Sequence, residues 1–197
     1  RKLPKIMIIS RGVWDDSKGT SSTLSNIFSN YDSERLSCIY IETKKPNTKK
    51  CKTFFQISEI SLIKKLFIWR TVTGREIDSE YVENESLAKI EASTMNYVRR
   101  HRSFFYTFIR EILWAFNGWK SKELRSFIKK VNPDIIWVNG SPLLLMNRLS
   151  KYITQKTGKP YCVYEMDDVY SCKIKSINPF RCIYDFFLRR NVSQLII

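Results

Sequence analysis

Histidine is almost missing from this chain: His101 is the only one in 197 residues. A Ser–His or Cys–His triad would have to rest on that imidazole. Its setting, Arg99-Arg100-His101-Arg102, reads instead as the wet side of a helix. Metal-ligand spacing is absent too. The five cysteines, Cys38, Cys51, Cys162, Cys172 and Cys182, are scattered and include no C-x-x-C pair, which excludes a zinc framework and a disulfide scaffold. Cys38 and Cys162 fall in predicted strands and read as small core residues. No apolar run approaches the roughly 18 residues of a membrane span. The early Ile6-Met7-Ile8-Ile9 is too short for a signal-peptide core. Cytoplasm is therefore the expected compartment, where the sequons at Asn84, Asn139 and Asn191 would meet no glycosylation machinery. The glycine fingerprints of dinucleotide and P-loop sites are missing.

Acidic charge is also scarce. Lys and Arg number 34 against 19 Asp and Glu, a formal net charge of +15. Such a balance points to a polyanionic partner or surface: nucleic acid, anionic lipid or phosphorylated small molecules. The cations cluster at 44–52, 99–102 and 120–130, and a solvated basic face is the plain alternative. Nucleic acid is disfavoured because no binding motif is present and the aromatics fall at core spacing.

Two segments share one plan. Lys129-Lys130-Val131-Asn132-Pro133-Asp134 leads into Ile135-Ile136-Trp137-Val138 and breaks at Asn139-Gly140-Ser141-Pro142. Thr157-Gly158-Lys159-Pro160 leads into Tyr161-Cys162-Val163-Tyr164 and breaks at Glu165-Met166-Asp167-Asp168. Each reads as a helix end, a short buried strand and a polar loop. Short apolar strands separated by helices predict an α/β fold with a Rossmann-like parallel sheet and helices on both faces. Sheets of that kind bind ligands beyond the carboxyl ends of their strands, so both polar loops are candidate sites.

Further strands are predicted at 5–10, 36–42 and 53–57, with helices from about Ser21 to Asn30 and over 60–69. A break is expected from Gly74 to Ser79, then a helical stretch over 85–131, interrupted near Asn117-Gly118. Phe105, Phe108, Ile109, Ile112 and Phe116 follow helical spacing and are expected to line one buried face, with Trp114 and Trp119 off that stripe. The other reading of this stretch is a basic-aromatic helix on an anionic bilayer. Ser141 is expected to cap a helix with Pro142 in its first turn and with Leu145, Leu149 and Ile153 facing the sheet. A last helix over 179–190 gives way to a strand beginning at Gln194. The chain stops inside that apolar run, so it is expected to continue.

Three groups of residues could carry chemistry. The loop after the first strand holds Gly12, Gly19 and Thr20, where backbone and a helix N-terminus can approach an anion. Asn139, Gly140 and Ser141 combine a glycine with a helix start suited to phosphate or sugar hydroxyls. Glu165, Asp167 and Asp168 crowd one crevice, so that one could act as a base, bind sugar hydroxyls, or hold a divalent metal. Glu83 and Glu91, eight residues apart, lie in a charged helical stretch and are assigned no role.

The first strand with its glycine-containing loop, then "NPDIIWVNGSP", "GKPYCVYEMDD" and a basic helix before "SQLII", resembles the N-terminal domain of GT-B glycosyltransferases, particularly the large retaining family four. The resemblance covers nearly the whole chain. It implies a single Rossmann-like acceptor-side domain over 1–197, with the C-terminal donor-binding domain outside these residues. A nucleotide sugar is then substrate rather than cofactor, and transfer needs no metal. It implies that the loop of Gly12 and Gly19 faces donor phosphates and acceptor. Asn139, Gly140 and Ser141 would line the acceptor side, and Asp167 and Asp168 would meet the acceptor sugar near the reaction centre. Where relatives carry His or Arg before the Asp, this chain has Asp167, which excludes a histidine-based role.

The expectation is a hexosyltransferase domain of cell-surface polysaccharide biosynthesis. It would act on a glycan or lipid-linked acceptor, peripheral at an anionic membrane face, and be inactive without its donor half. Two alternatives remain: a metal-dependent transferase using Glu165 and Asp167, and a non-catalytic basic module that binds membrane or nucleic acid.

Overall fold

Hydrophobic alternation along the strands sorts their side chains onto two faces of one sheet. In the computed structural model, which describes residues 3–17, 19–42, 44–77, 93, 104–116, 118–141, 143–165 and 179–196, the strands are β1 (Ile6–Ile9), β2 (Leu36–Tyr40), β3 (Thr53–Ile57), β4 (Gly74–Ile77), β5 (Ile135–Asn139) and β6 (Tyr161–Tyr164). Their order is β4-β3-β2-β1-β5-β6. Every pairing is parallel except β3 with β4. The predicted Rossmann-like α/β fold is therefore observed, with an antiparallel strand added at one edge.

Met7, Ile9, Ile39, Phe55, Ile57, Ile136 and Val138 point to one face. They meet α2 (Glu59–Phe67), α3 (Phe104–Ala115), α4 (Lys122–Val131) and α5 (Leu144–Thr157) through residues such as Leu62, Trp114, Phe127 and Leu149. Ile6, Ile8, Leu36, Cys38, Tyr40 and Phe54 point the other way and are covered by Leu24 and Phe28 at α1 (Gly19–Ile27) and by Trp14. Leu145, Leu149 and Ile153 are buried as expected. A last helix, α6 (Pro179–Ile196), packs on α5 through Leu188 and Val192.

Five expectations are corrected. The predicted break after Gly74 contains β4, hidden in the sequence because only its ends, Gly74 and Ile77, are buried. Gly74 is needed there: a Cβ would lie 2.6 Å from the Phe55 ring. The strand expected at Gln194 is instead the end of α6. β6 is an edge strand, so Tyr161 and Cys162 are exposed rather than buried. Only Cys38 keeps its expected core role, joined by Cys51. On α3 two members of the expected buried stripe, Ile112 and Phe116, are exposed while Glu111, Leu113 and Trp114 are buried; the side chains of Phe105, Phe108 and Ile109 lie outside the described residues. The cause is a polar clamp at the N-terminus of α2. Glu59 Oε1 accepts the Trp114 indole N–H at 2.8 Å and pairs with Arg110 Nε at 2.6 Å. The Trp119 indole N–H then donates to the Trp114 carbonyl at 2.9 Å. Burying two indoles with their N–H groups satisfied outweighs burying Ile112 and Phe116. Finally, Ser141 does not cap a helix, as its loop makes plain below.

Candidate functional site

The parallel register brings the carboxyl ends of five strands, β1, β2, β3, β5 and β6, to one edge. Ile9 of β1 pairs with Ile39 of β2 on one side and Val138 of β5 on the other. The chain runs from β1 out to β4, then returns to place β5 against the free side of β1. The loops after β1 and β5 thus leave in opposite senses, and sheets of this kind bind ligands at such a switch in strand order. The first loop holds Gly12 and leads to Gly19 and Thr20, which open α1. The second holds Asn139, Gly140 and Ser141. The described candidates Gly12, Asn139, Gly140, Ser141 and Glu165 all lie at or just past the carboxyl ends of parallel strands.

The first loop is built rather than slack. Trp14 is buried, and its indole N–H donates to Ser25 Oγ at 2.8 Å. Asp15 Oδ1 accepts from the Ser17 backbone and hydroxyl and from Asn47 Nδ2 at 3.1 Å. Its backbone bridges to Asn47. Glu42, two residues beyond β2, reaches across to accept the Val13 N–H at 3.1 Å. A Cβ on Gly12 would touch the Glu42 carboxylate at 3.8 Å. Glu42 was read only as the end of a strand; the signal that could have found it is the one used for Glu165, an acid just past an apolar run.

The second loop meets the end of β6 and the residue that follows it. The Gly140 N–H donates to the Tyr164 carbonyl at 2.8 Å, extending the β5–β6 ladder. The Glu165 carboxylate then lies on Gly140, where a Cβ would come within 2.6 Å of its Oε1. Only glycine leaves room for that carboxylate. The rings of Trp137 and Tyr164 stack with centroids 5.6 Å apart. Asn139 is half-buried at the end of β5, and Ser141 is buried. Asp167 and Asp168 lie outside the described residues, as do His101, Glu83 and Glu91.

Ser141 is not the helix cap because α5 begins three residues later, at Leu144, with Leu143 as an N-cap that makes no side-chain hydrogen bond. The cap comes from another element. Glu111 of α3 accepts the Leu145 N–H at 3.2 Å, and Tyr184 of α6 donates its hydroxyl to the same oxygen at 3.4 Å. Arg148 Nη1 is 3.8 Å from Oε2. Burial raises the Glu111 pKa, opposed by the Leu145 N–H and by the Arg148 and Arg110 charges. Burial and the nearby Glu111 charge push the Tyr184 hydroxyl well up. A carboxylate at a helix N-terminus is favoured by the helix dipole, but no local sequence pattern reveals one supplied from 34 residues away.

These groups define the chemistry of the crevice. The Val13 N–H is already occupied, and the Glu42 carboxylate beside Gly12 repels phosphate, so this corner suits ligands that donate hydrogen bonds. Glu165 and Asn139 add acceptors, and Asn139 also offers an amide donor. Among the described residues no cluster of three or more His, Cys, Asp or Glu could hold a metal ion. A cleft of about 370 Å³ at the opposite end of the sheet is lined by Arg125, Lys129, Lys156 and Lys159. Those cations surround the C-terminal ends of α4 and α5, whose carbonyls carry the complementary partial charge; that arrangement stabilises helices without any ligand. Among the described residues no helix is long and apolar enough to cross a membrane. Compared with known proteins, the chain matches no family model, no curated protein and no solved structure.

Proposed function

We propose that this domain is the acceptor-side half of a glycosyltransferase, holding a hydroxyl-rich saccharide in the crevice between the β1 and β5 loops. The observation that supports this most is the seating of the Glu165 carboxylate on Gly140. A carboxylate lying against the β5 loop can accept hydroxyl protons at the carboxyl end of the sheet, where Asn139 ends β5. Glu42 on Gly12 and Val13 supplies a second carboxylate at the facing loop. Crevices lined by carboxylate and amide groups bind sugars through paired hydrogen bonds and discriminate against analogues that lack the hydroxyl.

In this reading Asp167 or Asp168 meets the reacting hydroxyl, and inverting chemistry would use one of them as base. The donor is a nucleotide sugar, held by a second domain that these 197 residues do not include. Gly19 and Thr20, at the N-terminus of α1, face its phosphates. The acceptor is a glycan or lipid-linked saccharide, and transfer needs no metal.

Saturation-transfer NMR with a panel of neutral oligosaccharides tests the reading. Saccharide signals that fall in Glu165→Gln and Asn139→Ala support it. No saccharide signal, or signals unchanged in both variants, would overturn it. Binding that requires manganese and is lost in Asp167→Ala would favour the metal-dependent transferase instead. Sugar transfer by residues 1–197 alone would contradict the division of labour between two domains.

A further inference from the structure

The outer side of α2 near its end and the segment that follows it are turned out to solvent. Ile63, Leu66, Phe67, Ile68, Trp69 and Val72 are all exposed, Phe67 at 84% and Trp69 at 87%. Contiguous apolar surface of this kind on a folded protein marks an interaction site. The segment is held in place rather than frayed. The Ile68 N–H donates to the Lys64 carbonyl at 2.8 Å, and Thr71 closes onto the Ile68 carbonyl through its N–H at 3.0 Å and its hydroxyl at 2.8 Å. The Ser58 N–H donates to the Thr73 carbonyl at 2.9 Å, and the Thr73 hydroxyl to the Gly118 carbonyl at 2.9 Å. Two residues before Gly118, Phe116 adds another exposed ring.

The charge on this tip is of one sign. Between Glu59 and Glu76 there is no Asp, Glu, Asn or Gln, whereas Lys64, Lys65, Arg70 and Arg75 all fall there. The tip therefore offers apolar area and positive charge but no carboxylate or amide with which to specify a protein surface. Trp and Phe favour the boundary between headgroups and acyl chains, and Lys and Arg favour the anionic headgroups above it. We propose that residues 63–72 form a docking tip for an anionic phospholipid bilayer, inserting Phe67 and Trp69 at the interface while the exposed Lys64 and Arg70 meet lipid phosphates. This is distinct from the α3 aromatic stretch considered in the sequence, and it does not depend on glycosyl transfer.

Co-sedimentation with vesicles tests it. The protein is expected to bind phosphatidylcholine vesicles containing about 30% phosphatidylglycerol and not pure phosphatidylcholine, and to be released by about 0.5 M salt. Phe67→Ser/Trp69→Ser should weaken binding about tenfold or more, and each charge removed in Lys64→Gln and Arg70→Gln about fivefold. Lys49→Gln/Lys129→Gln should change binding less, which separates the tip from the general basic charge. Trp14, Trp114 and Trp119 are buried, and Trp137 is half-buried in the sheet between Phe28 and Tyr164, so brominated lipids should quench chiefly Trp69, and Trp69→Phe should lose that quenching. Unchanged melting confirms that these variants fold. No binding to anionic vesicles, equal binding by the tip variants, or a dimer in ultracentrifugation that Trp69→Ser abolishes would overturn the proposal.

Discussion

The carboxylate of Glu165 rests on the α-carbon of Gly140, so the loops after β6 and β5 share one small space. A methyl group at Gly140 must displace that carboxylate, yet the end of an exposed side chain swings away easily, and Gly140 has no positive φ to oppose the change. Gly140→Ala should therefore leave stability within about 1 kcal/mol of the parent while removing Glu165 from the crevice. Chemical denaturation should detect little, and saccharide-observed NMR should detect the loss.

Gly74→Ala makes the opposite case. Its Cβ would meet the Phe55 ring at 2.6 Å and the Gln56 carbonyl at 3.3 Å. Phe55 is buried and packs on Phe127 with ring centroids 5.0 Å apart, so neither neighbour can yield cheaply. Overpacking of this kind should destabilise the protein by about 1–3 kcal/mol, read as a lower midpoint in urea.

The clamp on Glu59 predicts a larger loss. Glu59→Ala would leave the buried Trp114 indole and the mostly buried Arg110 guanidinium without their shared acceptor. A destabilisation of about 3 kcal/mol is expected, whereas Glu59→Gln, which retains an acceptor oxygen, should lose less. Equal losses in both variants would contradict the clamp.

Glu111 carries a pH signature. Burial raises its folded-state pKa, so the fold favours the neutral acid. That contribution is complete below the unfolded carboxyl value of about 4.3 and is lost as pH rises through the raised folded value. Glu111→Gln cannot ionise. Its stability relative to the parent should rise between acid and neutral pH, and urea midpoints measured across that range would show it. A difference independent of pH would contradict the assignment.

Thiol chemistry separates core from surface. Cys38 and Cys51 are buried, and burial pushes the Cys51 thiol up to about 12. Both should resist an aromatic disulfide reagent until the protein unfolds, while the exposed Cys162 and Cys182 react in the native state. Since the folded Cys51 pKa is raised, its contribution to stability is complete below about pH 9 and is lost as pH climbs toward about 12.

The sequence made the frame legible because β1, β2, β3 and β5 are apolar runs bounded by polar loops, and a parallel sheet follows from their alternation with helices. β4 was hidden because an edge strand exposes Arg75 and Glu76, and β6 read as buried because apolar composition does not report position at an edge. The paired loops were legible as candidate sites since each follows an apolar run. Glu42 and Glu111 were not: one acts across the sheet from the neighbouring strand, the other caps a helix far along the chain. Side chains that act through tertiary proximity leave no local pattern.

The position of β1 has a consequence for how the protein assembles. The Lys5 N–H donates to Asp134 at 2.7 Å across a separation of 129 residues, so β1 completes its pairing only when β5, far along the chain, arrives. During translation β1 to β4 can pair among themselves while one edge of β1 stays open. Loop closure over that distance slows folding, and the open edge is the segment most in need of shielding from other nascent chains.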